Sequence, residues 1–314
     1  NWIKQDYFKG NNWSDGQYFI SDVNGDHKVD VIGINNDAVY VSLAGDNTYG
    51  ALGNWSSSYT GNQWVDAPII FADVNGDQRG DIIGFGSNSI HVELSTSSRF
   101  DSTNWSQSYS DFSDNSWSSN PKMMADLNGD GLMDLIGFKN SGVYVAYSTG
   151  NGFTAINKMS TSFSGNKWPA DYPRILNDLN LDGKADVLGY DNSGAVVGLN
   201  LGGTLNTTSW PKYEHFGNQK YDNSARVLAD ISGDGIADIV GFESGIGVVA
   251  AIAKGSCPDL LLSATDGIGN SYIINYKPLS DNSVYQANSS FGSALSRFQS
   301  GSVIASNPGV SNVP

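Results

Sequence analysis

Five nine-residue stretches carry oxygen-bearing side chains at alternating positions. They are Asp22, Asn24, Asp26 and Asp30; Asp73, Asn75, Asp77 and Asp81; Asp126, Asn128, Asp130 and Asp134; Asp178, Asn180, Asp182 and Asp186; and Asp230, Ser232, Asp234 and Asp238. Side chains at positions 1, 3, 5 and 9 of a tight loop converge on one point, and a glycine at position 4 or 6 lets the chain turn. Three carboxylates and one neutral oxygen suit a hard cation that takes six to eight oxygen ligands, so the expected cofactor is Ca2+. Zinc would call for His or Cys, and His27 is the only such residue in the five loops. An EF-hand loop begins the same way, but it ends on Glu at position 12 between two helices. Position 12 here is Gly33, Gly84, Gly137, Gly189 or Gly241. The fifteen loop aspartates equal the whole net charge of −15, and five Ca2+ ions would reduce it to −5. Without cations they repel one another. Ser232, shorter than the Asn of the other loops, marks the fifth site as the looser one.

These loops must be held by something that repeats with them. Their first aspartates lie 51, 53, 52 and 52 residues apart, and each loop runs into an apolar pair, a glycine and a large residue, as in Asp81-Ile-Ile-Gly-Phe85. A short apolar run precedes each loop, such as Ile69-Ile-Phe-Ala72. An alternating run follows it, such as Val143-Tyr-Val-Ala-Tyr147. Period-two runs of β-branched and aromatic residues bounded by Gly and Asn read as strands. A fourth strand is expected between Asn54-Trp55 and Trp64 and at the equivalent places. Four short strands in a unit of about 50 residues is the arithmetic of a propeller blade. The expected fold is therefore an all-β propeller of four-stranded blades, six in number, with five as the alternative. A β-sandwich would leave five near-identical units unexplained.

Aromatic residues keep the same period. Trp2, Trp55, Trp105 and Trp210 share one repeat position, with Met159 in the fourth unit. Trp13, Trp64, Trp117, Trp168 and Tyr221 share a second. Packing between blades explains either set. The second set lies in polar segments such as Asn62-Gln63-Trp64 and Asn218-Gln219-Lys220-Tyr221. Its members are accordingly the candidate ligand-binding residues, with ring faces that could stack on a sugar while neighbouring amides bond its hydroxyls.

The repeated Asp-x-Asn-Gly-Asp-Gly-x-x-Asp run followed by two aliphatic residues, Gly and Phe resembles the FG-GAP or VCBS repeats of calcium-binding β-propellers. Integrin α-subunit propellers share the strand–calcium loop–strand unit, and lectins of the Psathyrella velutina type carry repeats similar to these. The resemblance covers residues 1 to about 255 and recurs five times. It implies a propeller, bound calcium and, for the lectins, sugar binding. Leu181 in place of glycine and Ser232 in place of Asn are the departures. Beyond residue 257, Pro258–Asn270 and Ser271–Leu279 contain no calcium loop and read as two strands joined near Asp266–Asn270. That segment is similar to the one after the propeller in the B components of insecticidal toxin complexes and in the Salmonella plasmid virulence family. The expected organisation is five calcium-loop repeats over 1–256, closing strands or a sixth blade over 257–287, and a Ser/Gly/Asn-rich tail over 288–314.

Composition excludes other classes. The chain has 314 residues, 16% of them charged and 39% hydrophobic, enough for a core. With 32 acidic against 17 basic residues and no basic cluster, it has no phosphate-binding surface, so nucleic acid is not an expected partner. No apolar run approaches the roughly 18 residues of a membrane helix, so membrane insertion is not expected. Asn1–Lys4 is no signal peptide. Cys257, the single cysteine, rules out an internal disulfide scaffold and leaves one thiol for pairing with another chain. The three histidines His27, His91 and His215 share no motif, and no nucleophile elbow, zinc-protease helix or phosphate loop occurs, so no enzyme is expected. Two functions remain: a calcium-stabilised multivalent lectin for glycans or glycoproteins, or a protein-docking propeller of a larger toxin- or adhesin-like protein. Extracellular Ca2+ would fill loops of modest affinity, and sequons such as Asn54-Trp-Ser56 and Asn206-Thr-Thr208 are compatible with export. The expected location is secreted or cell surface.

Overall fold

The computed structural model describes residues 8, 16–35, 38–58, 68–86, 90–102, 105, 120–165, 168, 172–191, 194–209, 226–243, 247–253, 263–265, 271–277 and 302–306. Among them every regular element is a β-strand. The first sheet is β1 (Gln17–Ser21), β2 (Asp30–Ile34), β3 (Val39–Ser42) and β4 (Gly53–Ser56). The second is β5 (Ile69–Ala72), β6 (Asp81–Phe85), β7 (Ile90–Ser95) and β8 (Phe100–Ser102). The third is β9 (Lys122–Ala125), β10 (Asp134–Lys139), β11 (Gly142–Ala146) and β12 (Asn157–Ser160). The fourth is β13 (Arg174–Asn177), β14 (Asp186–Asp191), β15 (Gly194–Asn200) and β16 (Leu205–Ser209). Each is a four-stranded meander in sequence order, with antiparallel pairing throughout the first three. These are propeller-like blades, and the expected fourth strand falls at Gly53–Ser56 in the first of them.

The chain forms two compact units. One comprises Asn1–Leu176, Lys184–Asp191 and Val196–Thr208; the other Asn177–Gly183, Asn192–Ala195 and Ser209–Pro314. The second unit holds a sheet of β17 (Arg226–Ala229), β18 (Asp238–Glu243) and β19 (Gly247–Ala251). It also holds a sheet of β20 (Ser263–Thr265), β21 (Ser271–Lys277) and β22 (Ser302–Ser306). The two strands expected after residue 257 are β20 and β21, which pair antiparallel. The Ser/Gly/Asn-rich tail contributes β22, which pairs with β21 along its length.

The apolar pair after each acidic loop has a simple explanation. Successive residues of a strand point to opposite faces, and each inner sheet is covered on both. Ile82 joins Ile32, Ile34, Val39 and Val41 in the core between the first and second sheets, while Ile83 joins Leu135 and Ala146 between the second and third. Ile136 then packs with Phe138, Val143 and Val187 between the third and fourth. The residue at position 2 of each acidic loop, Val23, Val74 or Leu127, plugs the same three cores. So do Trp55, Trp105 and Met159, with Trp55 against Phe100 at 5.4 Å and Trp105 edge-on to Phe153 at 5.8 Å. The first aromatic repeat position is thus packing between sheets, while Trp2 and Trp210 lie outside the described residues.

Candidate functional site

Each acidic loop joins the first two strands of its sheet and is folded around its own side chains. The carboxylate at position 1 accepts backbone N–H groups from positions 4 and 6: Gly25 and His27 on Asp22 (2.8 and 2.7 Å), Gly76 and Gln78 on Asp73 (both 2.7 Å), and Gly129 and Gly131 on Asp126 (2.6 and 2.8 Å). Gly233 and Gly235 do the same on Asp230 at 2.6 and 2.9 Å, and Gly183 donates to Asp178 at 2.9 Å. Side-chain oxygens at position 3 accept the position-5 amide, as in Asp26 to Asn24 at 2.9 Å and Asp130 to Asn128 at 2.9 Å. Ser232 breaks this pattern. The Asp234 amide turns to Asp230 instead, at 3.2 Å. The winding demands left-handed backbone at positions 4 and 6. Glycine fills most of these places, but His27 (φ 64°), Gln78 (φ 66°) and Leu181 (φ 60°) adopt it with a Cβ in the way.

Position 9 has a role that the spacing does not reveal. Asp30, Asp81, Asp134, Asp186 and Asp238 are all fully buried. One oxygen accepts the amide of loop position 2, from Val23, Val74, Leu127 or Ile231 at 2.9–3.1 Å. The other accepts an amide from the end of the third strand or just past it: Ala44, Ser95, Ser148, Asn200 or Ala253 at 2.7–2.8 Å. The ninth aspartate is a latch that ties the loop to its sheet. A carboxylate oxygen has a second lone pair, so the latch leaves it able to ligate an ion. Burial, and then the loop's other carboxylates, push Asp81 up to about 7 and Asp134 up to about 6 against the pull of those amides, and Asp30 is raised for the same reasons. An all-oxygen donor set whose buried member is raised by its acidic neighbours is what a hard cation would relieve. The residues present therefore fit Ca2+. Positions 1, 3, 5 and 9 of each loop would hold it, and it would supply neutralising charge.

Successive loops are also joined. The position-8 amide of one loop donates to the position-1 carbonyl of the loop before it: Gly80 to Asp22 (2.7 Å), Met133 to Asp73 (3.0 Å) and Ala185 to Asp126 (2.7 Å). Beside each of these bonds, a side chain at or just past the end of the third strand reaches the position-2 carbonyl of the preceding loop. Ser95 Oγ donates to Val23, Ser148 Oγ to Val74 at 2.6 Å, and Asn200 Nδ2 to Leu127 at 2.7 Å. Glycine at position 80 leaves room for Ser21, whose Oγ a Cβ there would meet.

Of the candidate ligand-binding aromatics, Trp13, Trp64, Trp117 and Tyr221 lie outside the described residues. Trp168 is described, and the residue is 8% exposed. It packs on Phe163 at 4.8 Å and Tyr172 at 6.4 Å. Gly189 makes the room, since a Cβ there would sit 2.5 Å from the indole. Arg174 clamps the segment: Nη1 donates to the Tyr172 carbonyl (2.8 Å), and Nη2 donates to those of Trp168 (2.8 Å) and Phe163 (3.4 Å). Its guanidinium lies over Phe138 at 5.1 Å and Trp168 at 5.6 Å, and Lys122 occupies the same repeat position over Phe85 at 5.7 Å. The expectation of an open stacking face is therefore corrected at Trp168. Its ring faces are taken by protein, because a glycine-floored strand and a buried arginine draw it in. Cys257 lies outside the described residues.

Comparison with known proteins gives a consistent picture of the fold. No family model matches the chain, the FG-GAP and VCBS models included, and no curated protein sequence matches it. Among solved structures, the chain is similar to an Agrocybe aegerita lectin that recognises non-reducing terminal N-acetylglucosamine, with 28% identity and a TM-score of 0.66 over 77% of this chain and 63% of that one. It is also similar in fold to part of the Photorhabdus luminescens Tc holotoxin pore, at 18% identity and a TM-score of 0.59, over 82% of this chain and 12% of that one. The chain thus spans under two thirds of the lectin and a small part of the toxin. Among the described residues no helix is long and apolar enough to cross a membrane.

Proposed function

We propose that this chain is a calcium-stabilised, multivalent carbohydrate-binding protein. Its sheets are the blades of a closed propeller, six in number, with β20–β22 as the sixth. The observation that carries this reading is the likeness, at 28% identity over 77% of the chain, to a lectin that recognises terminal N-acetylglucosamine. The repeats supply the means. Each brings an Asn next to or near an aromatic residue, as in Asn62-Gln63-Trp64 and Asn166-Lys167-Trp168. Trp13, Trp64, Trp117, Trp168 and Tyr221 anchor these segments, and Trp168 does so as a packed floor under polar groups rather than as an open platform. Single sites of this kind are weak, and several on one chain give avidity. Ca2+ acts indirectly by fixing the loops, and the sugar need not touch it. The protein works outside the cell, secreted or at the surface, where Ca2+ is plentiful, and it catalyses no reaction.

A second reading, a docking platform for another protein, is favoured by one feature of the fifth sheet. Phe242 is 48% exposed, whereas its repeat equivalent Phe138 is 1% exposed, and its cross-strand partner Val248 is open beside it. A glycan array probed with the full chain in Ca2+ and in chelator separates the two. Lectin function predicts Ca2+-dependent binding to N-acetylhexosamine-terminated glycans. A blank array from folded, Ca2+-loaded protein favours docking.

A further inference from the structure

Glu93 stands out among its repeat equivalents. Ser42, Ala146, Gly198 and Ala251 occupy the same position, all small and uncharged, and Glu93 is fully buried. It lies on β7, where the second sheet meets the end of the first. Ser102 Oγ donates to its Oε1 at 2.7 Å, and His91 Nε2 is 3.6 Å from the same oxygen. Ser58, just past β4 in the first sheet, meets Ser102 Oγ to Oγ at 3.3 Å, so the cluster bridges two sheets. Burial pushes the Glu93 carboxyl up, but His91, Ser56, Ser58 and Ser102 together outweigh it, so the group sits below the ordinary glutamate value and is ionised near neutrality. Among the described residues its Oε2 is buried and makes no hydrogen bond of its own. Arg79 and Arg99, the nearest arginines along the chain, are engaged by Asp77 and Asp101.

The boundary between the third and fourth sheets is an internal control. It carries the same hydroxyl pair, Ser162 Oγ and Thr207 Oγ1 at 3.5 Å. Beneath that pair lies Gly198, where a Cβ would sit 2.7 Å from the Phe163 ring. One boundary therefore rests on a buried negative charge, the other on an aromatic edge. At the charged boundary the Ser102 hydroxyl proton is spent inward on Glu93, and its lone pairs are left for the solvent side. Such a rim accepts hydrogen bonds and, with the charge below, favours a cation over a neutral donor.

We propose that the Ser58–Ser102–Glu93 cluster at the boundary of the first and second sheets is a specificity-determining subsite for a hexosamine with a free, protonated amino group. This rests on the carbohydrate reading and sharpens it. The repeated sites are chemically unequal, and one of them prefers the unacetylated sugar. Ser58 and Ser102 touch the ammonium group, while Glu93 acts through Ser102.

The test is a titration of the full, Ca2+-loaded chain with D-glucosamine, N-acetyl-D-glucosamine and ethanolamine, below neutral pH so that the amines are protonated. It is repeated with Glu93→Gln and with Ser102→Ala. Glu93→Gln is expected to weaken glucosamine binding about tenfold and to leave N-acetylglucosamine unchanged. Ser102→Ala is expected to weaken glucosamine alone, and that result decides the matter if the Gln variant fails to fold. Equal glucosamine affinity in the wild type and a folded variant overturns the subsite. So does ethanolamine binding as tightly as glucosamine, which would make it a plain amine site. If N-acetylglucosamine binds and glucosamine shows no preference for Glu93, the cluster alone fails. If no sugar binds the folded protein, the carbohydrate reading fails with it.

Discussion

The ninth aspartate of each loop ties two segments of backbone together with a buried carboxylate, and that arrangement has a cost that depends on conditions. In chelator, Asp81, raised to about 7, and Asp134, raised to about 6, favour the folded state when protonated. A folded-state value above the unfolded one contributes stability at low pH that is lost as pH rises through the folded value. The apo protein is therefore expected to melt at a higher temperature near pH 5.5 than near pH 8. Ca2+ reverses the order, because it binds the ionised form. Melting curves at the two pH values, with and without EDTA, check the sign, and an apo protein that gains stability toward pH 8 contradicts it. Charge removal is graded too. Asp126 accepts two loop amides and is one of the proposed Ca2+ ligands, whereas Asp101 is partly exposed and paired with Arg99. In Ca2+, Asp126→Ala is expected to cost at least about 2 kcal/mol and Asp101→Ala far less, because its ion pair is screened by solvent. Denaturant titration measures both, and equal costs would remove the loops from the stability account. The alternating oxygens were legible in the sequence because ligand spacing is local. The latch was not, since its second amide comes from fourteen or fifteen residues away, although the recurring Ser95, Ser148 and Asn200 at that offset were a signal. Glu93 was overlooked for a similar reason, as it is conspicuous only against the small residues at its repeat position.

Strands and loops combine into a chain of interlocked units. Each loop's position-8 amide rests on the previous loop's carbonyl, so loosening one loop should loosen the next. Hydrogen exchange is expected to show the Gly80, Met133 and Ala185 amides protected in Ca2+ and faster in chelator. Asp73→Ala is expected to speed exchange at Met133, one loop downstream. Unaltered exchange at Met133 in that variant would mean that the loops act independently. The aromatic segment before β13 depends on one side chain. Arg174 satisfies three carbonyls and covers two rings. Arg174→Met is expected to cost about 2–4 kcal/mol, because the carbonyls it leaves are largely buried, and to remove the fourth repeat's share of sugar binding. A variant as stable as the wild type would show the clamp to be dispensable. The strand pattern and the apolar pairs could be read from the sequence, because period two and a fifty-residue repeat leave few alternatives. The burial of Trp168 could not, since it arises where Gly189, twenty-one residues later, leaves a gap on a neighbouring strand.

At the scale of the molecule, repetition gives each of the first four sheets the same loop, latch and strand order. The all-β class, four-strand units and paired strands beyond residue 257 were anticipated from the sequence. The strand at Ser302–Ser306 was not, because a Ser/Gly/Asn-rich stretch carries little periodicity. The open Phe242 face distinguishes the fifth sheet from the first four, and it is where a partner would act if the docking reading held. The claim on which the account turns is that a calcium-held array of repeats binds sugar at several places at once. Isothermal titration of the Ca2+-loaded chain with an N-acetylglucosamine-terminated oligosaccharide tests it most directly. The account predicts saturable binding with more than one site per chain, lost in EDTA and much tighter on a surface dense in the glycan. A folded, Ca2+-loaded protein that takes up no heat from any N-acetylhexosamine glycan and fails to bind that surface would contradict it.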